Sequence, residues 1–306
     1  MRGLSRLAIA LSAGAATPGF AHHLHDTYEA VPGWTWDPWI VGPIVLAALL
    51  FAIGWRRLSN RSGRRSVWRR RAWLFGGGLL TLAVALVSPL HEAGERSFAL
   101  HMTEHELIMM LAAPLLVLAE PLVVLLWAFP AAGRRAIGRI TSARPIAVLW
   151  SRLTEPVTAT LLQAVALWLW HAPPLFDLAL SDDNWHAAQH LSFLLSALLF
   201  WTAMLGSRGR HARSVAQRGI AALCLFATSI VSGALGALMA VSESPWYAGY
   251  AALGMAPFGL TPAQDQQVAG LIMWVPGGLV HAIAALLLVR TMLQPSSPQE
   301  AATDVV

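Results

Sequence analysis

The stretch Ala99–Ala128, ALHMTEHELIMMLAAPLLVLAEPLVVLLWA, decides how this chain is read. Its body is apolar for longer than the roughly 20 residues a helix needs to cross a hydrocarbon layer. Yet it opens on His101, Glu104, His105 and Glu106. His101 and His105 are spaced i,i+4, so on a helix both rings leave one face with Cβ atoms about 5 to 6 Å apart. Ionisable groups at membrane depth are costly, and their presence there points to function.

Outward from this stretch the composition agrees. The chain is 56% hydrophobic and 12% charged with a mean hydropathy of +0.56, which excludes an ordinary soluble domain. Every basic residue is Arg, and the net charge is +5. The arginines fall in blocks between apolar runs, as a positive-inside bias requires, so no nucleic acid is expected. Cys224 is the single cysteine. A soft-metal site would therefore draw on His and Met rather than thiolates.

Arg2 and Arg6 precede the apolar Leu7–Ala16, followed by Pro18-Gly19-Phe20-Ala21. This reads as a cleavable signal peptide over residues 1–21. The expected mature chain opens with a histidine-containing segment outside the cytoplasm, residues 22–38, followed by a seven-span membrane domain, 39–290, and a cytoplasmic tail, 291–306. The spans are expected near 39–55, 72–90, 99–128, 157–170, 187–205, 219–240 and 268–289. Arg56 to Arg71, Arg134 to Arg152, Arg208 to Arg218 and Arg290 mark the inner side, and the opposite loops hold only Arg96. The fold class is all-α, a polytopic transmembrane bundle with its N-terminus outside and its C-terminus inside.

On that topology most of the eleven histidines gather at outer helix ends. His186 and His190 repeat the i,i+4 spacing at the start of the fifth span, and His171 closes the fourth. If these helices pack together, His101, His105, His171, His186 and His190 converge as metal ligands. Imidazole suits copper, zinc, iron or nickel, and Met102, Met109 and Met273 tilt the choice toward Cu(I). Glu104, Glu106, Asp177, Asp182 and Asp183 are candidate partners that orient rings, and Asp177 is a possible further ligand. His22, His23 and His25 form either a chelate with a free amine at His22 or, more simply, a polar tail. His281 reads as a packed polar residue of the seventh span rather than a ligand. His91 and His211 read as solvated. His105-Glu106-Leu107-Ile108-Met109 opens like a zinc-protease signature, but Met109 stands where the second histidine belongs, so the motif fails.

Three ordered stretches resemble the cytochrome c oxidase assembly factor family CtaG, of the multi-span type. They are His101-Met102-Thr103-Glu104-His105 through Ala113-Pro114-Leu115, then Trp170-His171-Ala172-Pro173-Pro174-Leu175-Phe176-Asp177 with His186 to His190 and Phe200-Trp201, and last Asp265-Gln266-Gln267 through Gly270-Leu271-Ile272-Met273-Trp274-Val275-Pro276-Gly277-Gly278. The match departs at Glu106, where many relatives are expected to carry Met or another apolar residue. The resemblance implies a bacterial inner-membrane protein that helps form haem-copper oxidase, without enzymatic turnover, in contact with oxidase subunits and a periplasmic copper chaperone. Copper at the histidines remains an inference from residue chemistry. The competing readings are a b-type haem protein with two axial imidazoles, a membrane zinc hydrolase and a metal-free scaffold for oxidase assembly.

Overall fold

The computed structural model describes residues 32–61, 65–206 and 214–293. The signal-peptide reading, His22, His23, His25, His211 and most of the tail lie outside them. The described chain is helical, with no strand among the described residues. Its helices are α1 (Pro38–Ser59), α2 (Arg65–Leu86), α3 (Pro89–Gly94), α4 (Phe98–Glu106), a π-helical turn (Leu107–Ala112), α5 (Ala113–Leu118), α6 (Pro121–Leu126), α7 (Ala131–Ser142), α8 (Arg144–Leu153), α9 (Pro156–Trp170), α10 (Pro173–Ser181), α11 (Asp183–Leu205), α12 (Val215–Val241), α13 (Ala248–Leu253) and α14 (Pro262–Leu293). Proline at the first helical positions of α1, α3, α6, α8, α9 and α10 explains many of the starts, since its missing N–H has no intrahelical partner there.

Four helices, α1, α11, α12 and α14, are long and apolar enough to cross a membrane. The other apolar stretches are helical but shorter or interrupted. α2 opens with Arg65, Arg69, Arg70 and Arg71, and α9 has 15 residues. The third stretch was expected to continue to residue 128, but it ends at Leu118. Glu120 takes a left-handed conformation at φ 45° and Pro121 begins α6. A residue before proline is steered away from the right-handed helix, and an ion pair from Arg71 to the Glu120 carboxylate holds the turn. The arginine-bearing segment that follows folds into α7 and α8, neither of which buries a residue.

The helical run 98–118 is the axis of the bundle. On one side Ile108, Ala112 and Leu116 pack with Phe51 and Phe75, whose rings stack at 4.1 Å. On the other, Phe98, Met102, Met109 and Ala113 pack into the larger cluster with Phe176, Phe193, Phe200, Trp201 and Tyr247. Within the run, the π-helical turn widens the spiral, and Trp201 Nε1 donates to Met109 O at 2.8 Å. Such turns are rare and concentrate at functional sites. The outward faces of α1, α12 and α14 expose Leu46, Leu49, Leu223, Phe226, Leu279 and Leu286, an apolar surface suited to lipid.

α12 and α14 approach closely because Gly236 and Gly270 face each other. A Cβ on Gly270 would collide with the Gly236 carbonyl and stand 2.6 Å from Ala240 N. Those atoms are backbone, so no side-chain rotation relieves the clash. Gly270→Val should therefore cost more than the ~1–3 kcal/mol typical of core overpacking. Gly42→Ala, with nothing within 4 Å of its Cβ, is the control. Thermal unfolding in detergent should show a clear drop for the first variant alone. Equal melting of both would mean the close approach contributes nothing.

Candidate metal centre

Four chain segments meet at one end of the bundle. Asp265, buried at the start of α14, accepts from Ser97 Oγ at 2.8 Å, Phe98 N at 2.6 Å and Ala99 N at 3.4 Å. A carboxylate at a helix N-terminus satisfies orphan donors and complements the dipole, so Asp265 fixes where α4 begins and with it His101 and His105. Tyr250 adds a hydrogen bond from its hydroxyl to Gly94 O at 2.6 Å, tying down α3. Asp182 caps α11 by accepting from Asn184 N and Trp185 N, which sets the turn carrying His186 and His190. His171 follows the last residue of α9, where Tyr247 Oη donates to its carbonyl at 3.1 Å.

The rings of His101, His105, His186 and His190 come together. Centroids lie 4.4 Å apart within each i,i+4 pair, 5.3 Å between His101 and His186, 5.7 Å between His101 and His190, and 5.0 Å between His105 and His190. Ring nitrogens of His101, His186 and His190 all fall within 4.8 Å of one another. Both nitrogens of His101 and of His105, and Nε2 of His186 and of His190, are buried without a hydrogen-bond partner.

His91, read from sequence as solvated, belongs to this group. Its ring stacks on His186 at 5.4 Å, and its Nδ1 lies 2.8 Å from Glu104 Oε1. The same oxygen stands 3.5 Å from His190 Nδ1, so His91, Glu104 and His190 form a second set with ligand-like spacing. The side chain of Glu104 is fully buried, and it gives both rings a negative partner that holds their orientation. The signal missed in the sequence is that α3 is a short helix folded back against α4, which no local spacing reveals.

His171 stands apart, 6.3 Å from His105 between ring centroids. Its Nδ1 lies 2.7 Å from Leu167 O, which fixes Nδ1 as the protonated nitrogen. Nε2 then presents a lone pair to Met102 Sδ at 3.4 Å, and neither atom has a proton to share. With metal–nitrogen and metal–sulfur bonds of about 2.0 and 2.3 Å, two ligands of one tetrahedral ion would lie about 3.5 Å apart. Asp177 is elsewhere: it caps α13, accepting from Ala248 N at 3.2 Å and Gly249 N at 3.1 Å.

The sequence profile of the cytochrome c oxidase caa3 assembly factor family, Caa3_CtaG, matches residues 49–294. The chain belongs to this family. It is also similar to an uncharacterized protein of Mycobacterium bovis, 31% identical over 179 residues, which are 56% of this chain and 26% of that protein. An uncharacterized protein of Mycobacterium leprae is 26% identical over 251 residues, 79% of this chain and 36% of the relative. The chain thus spans about a quarter to a third of the length of these relatives. No solved structure matches. The three stretches that resemble the family all lie inside the matched range and have distinct places in the fold. The first two carry the histidines. In the third, Asp265 anchors α4 while Gln266 and Gln267 donate to Ser244 O and Ser242 O, fastening the loop before α13.

His91 lies outside the spanning helices, in α3. Burial pulls its imidazole down, but the hydrogen bond and charge of Glu104, with the charges of Glu95 and Glu92, more than offset this and leave it above its ordinary 6.5. Its contribution to stability is then fully present below the unfolded value and is lost as pH rises through the raised folded one. Unfolding temperature should fall as pH rises above 6.5 and through the raised folded value, and Glu104→Gln should flatten that dependence. Parallel curves for wild type and variant would show that the pair is not coupled.

Proposed function

We propose that this protein assists assembly of haem-copper cytochrome c oxidase by holding Cu(I) as cargo at the His101, His105, His186 and His190 cluster, with His91, Glu104, His171 and Met102 around it. One observation carries the reading: buried imidazole nitrogens face one another with no hydrogen-bond partner. Buried polar atoms without partners cost about 1–3 kcal/mol each, and an ion is the partner that uses several at once. Imidazole and thioether are the ligands a soft cuprous ion takes.

The proposed topology is seven crossings with the histidines outside, in a bacterial inner membrane. α2 supports it, since it runs from Arg65 to Leu86, 22 residues, or about 33 Å at 1.5 Å per residue. Arg65 and the His91 region beyond its other end would then lie about one hydrocarbon thickness apart. Arg57 donates to Ala128 O at 2.7 Å on the arginine side, consistent with an inner face. Copper would arrive from a periplasmic chaperone and pass to an oxidase subunit. The residues' part is to exclude water, present lone pairs and, through Glu104, balance the charge of the cargo.

A b-type haem fits less well, because rings at 4.4 to 5.7 Å leave no slot for a macrocycle between them. A zinc hydrolase that used Asp177 to activate water fits less well, because Asp177 is engaged as a cap. A metal-free scaffold would favour histidines used as polar glue, with hydrogen-bonded rings. Purified protein loaded anaerobically should hold stoichiometric copper, and His101→Ala with His105→Ala should lose it and lower the yield of copper-containing oxidase. Full oxidase assembly in the double variant would favour the scaffold instead.

A further inference from the structure

About one and a half turns beyond His101, the bundle encloses a cavity of about 20 Å³, bordered by Glu106, Met109, Gln163, Met273, Gly277 and His281. A void of about 10–15 Å³ already accommodates one water, so this one has room for a single water or ion. Three facing stripes build it. Met102, Glu106 and Met109 follow one another along the central helix. His171, Leu167 and Gln163 descend α9, and Met273, Gly277 and His281 descend α14. A Cβ on Gly277 would stand 3.1 Å from Glu106 Oε2 and crowd the carboxylate.

The polar groups of this wall are acceptors. His281 Nδ1 lies 2.8 Å from Gly277 O and must carry the proton, so Nε2 offers a lone pair. Gln163 Nε2 donates to Met109 Sδ at 3.4 Å, which leaves Oε1 as the spare atom. Thr228 and Ser232 spend their hydroxyl protons on Cys224 O and Thr228 O. Glu106 Oε2, Gln163 Oε1 and His281 Nε2 are all buried without a partner. Gln163 and His281 are 4% and 1% exposed, so bulk water does not reach them. Once ionised, Glu106 would add a negative charge that no arginine of the cavity wall offsets. Isolated buried charge is unfavourable unless paired. A small cation meets every one of these demands at once.

We propose a second cation site here, in which Glu106, His281, Met109 and Met273 hold one Cu(I), with Gln163 Oε1 beside it. Two thioethers and an imidazole select a soft ion. One carboxylate neutralises a single positive charge, which favours a monovalent ion over Zn2+. The facing pair His171 Nε2 and Met102 Sδ heads the same stripes, beside the histidine cluster. Gln163 lies eight residues before His171 on α9, or about 12 Å deeper. The choice of copper rests on the function proposed above, whereas the three unpartnered acceptors at the cavity stand without it.

The test titrates purified full-length protein with Ag(I), a redox-inert stand-in for Cu(I), and counts bound metal after desalting. Wild type should retain two equivalents. Met109→Leu with Met273→Leu, which conserve volume, should retain one, and X-ray absorption should show the loss of sulfur neighbours. Glu106→Gln should weaken the deep site at least tenfold, and His101→Ala with His105→Ala should remove the other equivalent. Unchanged thermal unfolding of the Met→Leu variant certifies its fold. Should that variant bind as much Ag(I) as wild type, the deep site is overturned and the histidine reading stands. Metal lost in the Met→Leu variant but kept in the His→Ala variant would support the deep site and overturn the cluster. No binding by wild type overturns both.

Discussion

A polar atom held at hydrocarbon depth has no water to turn to, so every such atom in this bundle must find a partner within the protein or in something the protein takes up. The central run 98–118 concentrates that constraint. Its neighbours on both sides are apolar clusters, yet it carries His101, Glu104, His105 and Glu106. Glu104 is answered by His91 at Oε1, while its Oε2 has no partner. The nitrogens of His105 and Glu106 Oε2 have no hydrogen-bond partner, and beside His101 lies the buried amide of Gln189. The pattern of satisfied and unsatisfied groups marks the candidate site more sharply than burial alone, because buried polar groups in folded proteins are almost always paired.

The rest of the fold can be understood as a means of placing that run. Asp265 binds the start of α4 from a position 168 residues beyond Ser97 in sequence. The glycines at 236 and 270 bring α12 and α14 together, which sets the wall that Glu106 meets. The π-helical turn leaves Met109 O available to Trp201 Nε1 and turns the Met109 side chain toward Gln163. An uninterrupted α-helix would bond that carbonyl within itself. Local irregularity here serves the placement of side chains.

Much of this was legible in the sequence, and the limit has a physical cause. Apolar length gave the helices, and i,i+4 spacing gave the two histidine pairs, because both depend on the repeat of a single helix. The end of the third stretch was misread because a left-handed Glu120 is not specified by apolarity; it depends on Pro121 next to it and Arg71 across the bundle. His91 was misplaced because its neighbours come from α4 and α11. Gln163 gave no warning at all, since one amide in an apolar helix resembles a tolerated substitution until Met109 and His281 are seen beside it.

The anchoring of the rings adds a last step. His171 and His281 each place Nδ1 against the carbonyl four residues earlier on the same helix, and His190 turns Nδ1 toward Glu104. A histidine bonded to its own helix keeps its tautomer and its aim whether or not an ion is present, because the backbone acceptor does not move. Ligand sites held this way need little reorganisation when the ion enters or leaves. A protein that passes metal onward benefits from that property more than one that stores it, since tight closure around the ion would slow release. Under the proposed copper role, rigid rings beside adaptable thioethers such as Met102 and Met109 would combine fixed direction with the slack that transfer requires.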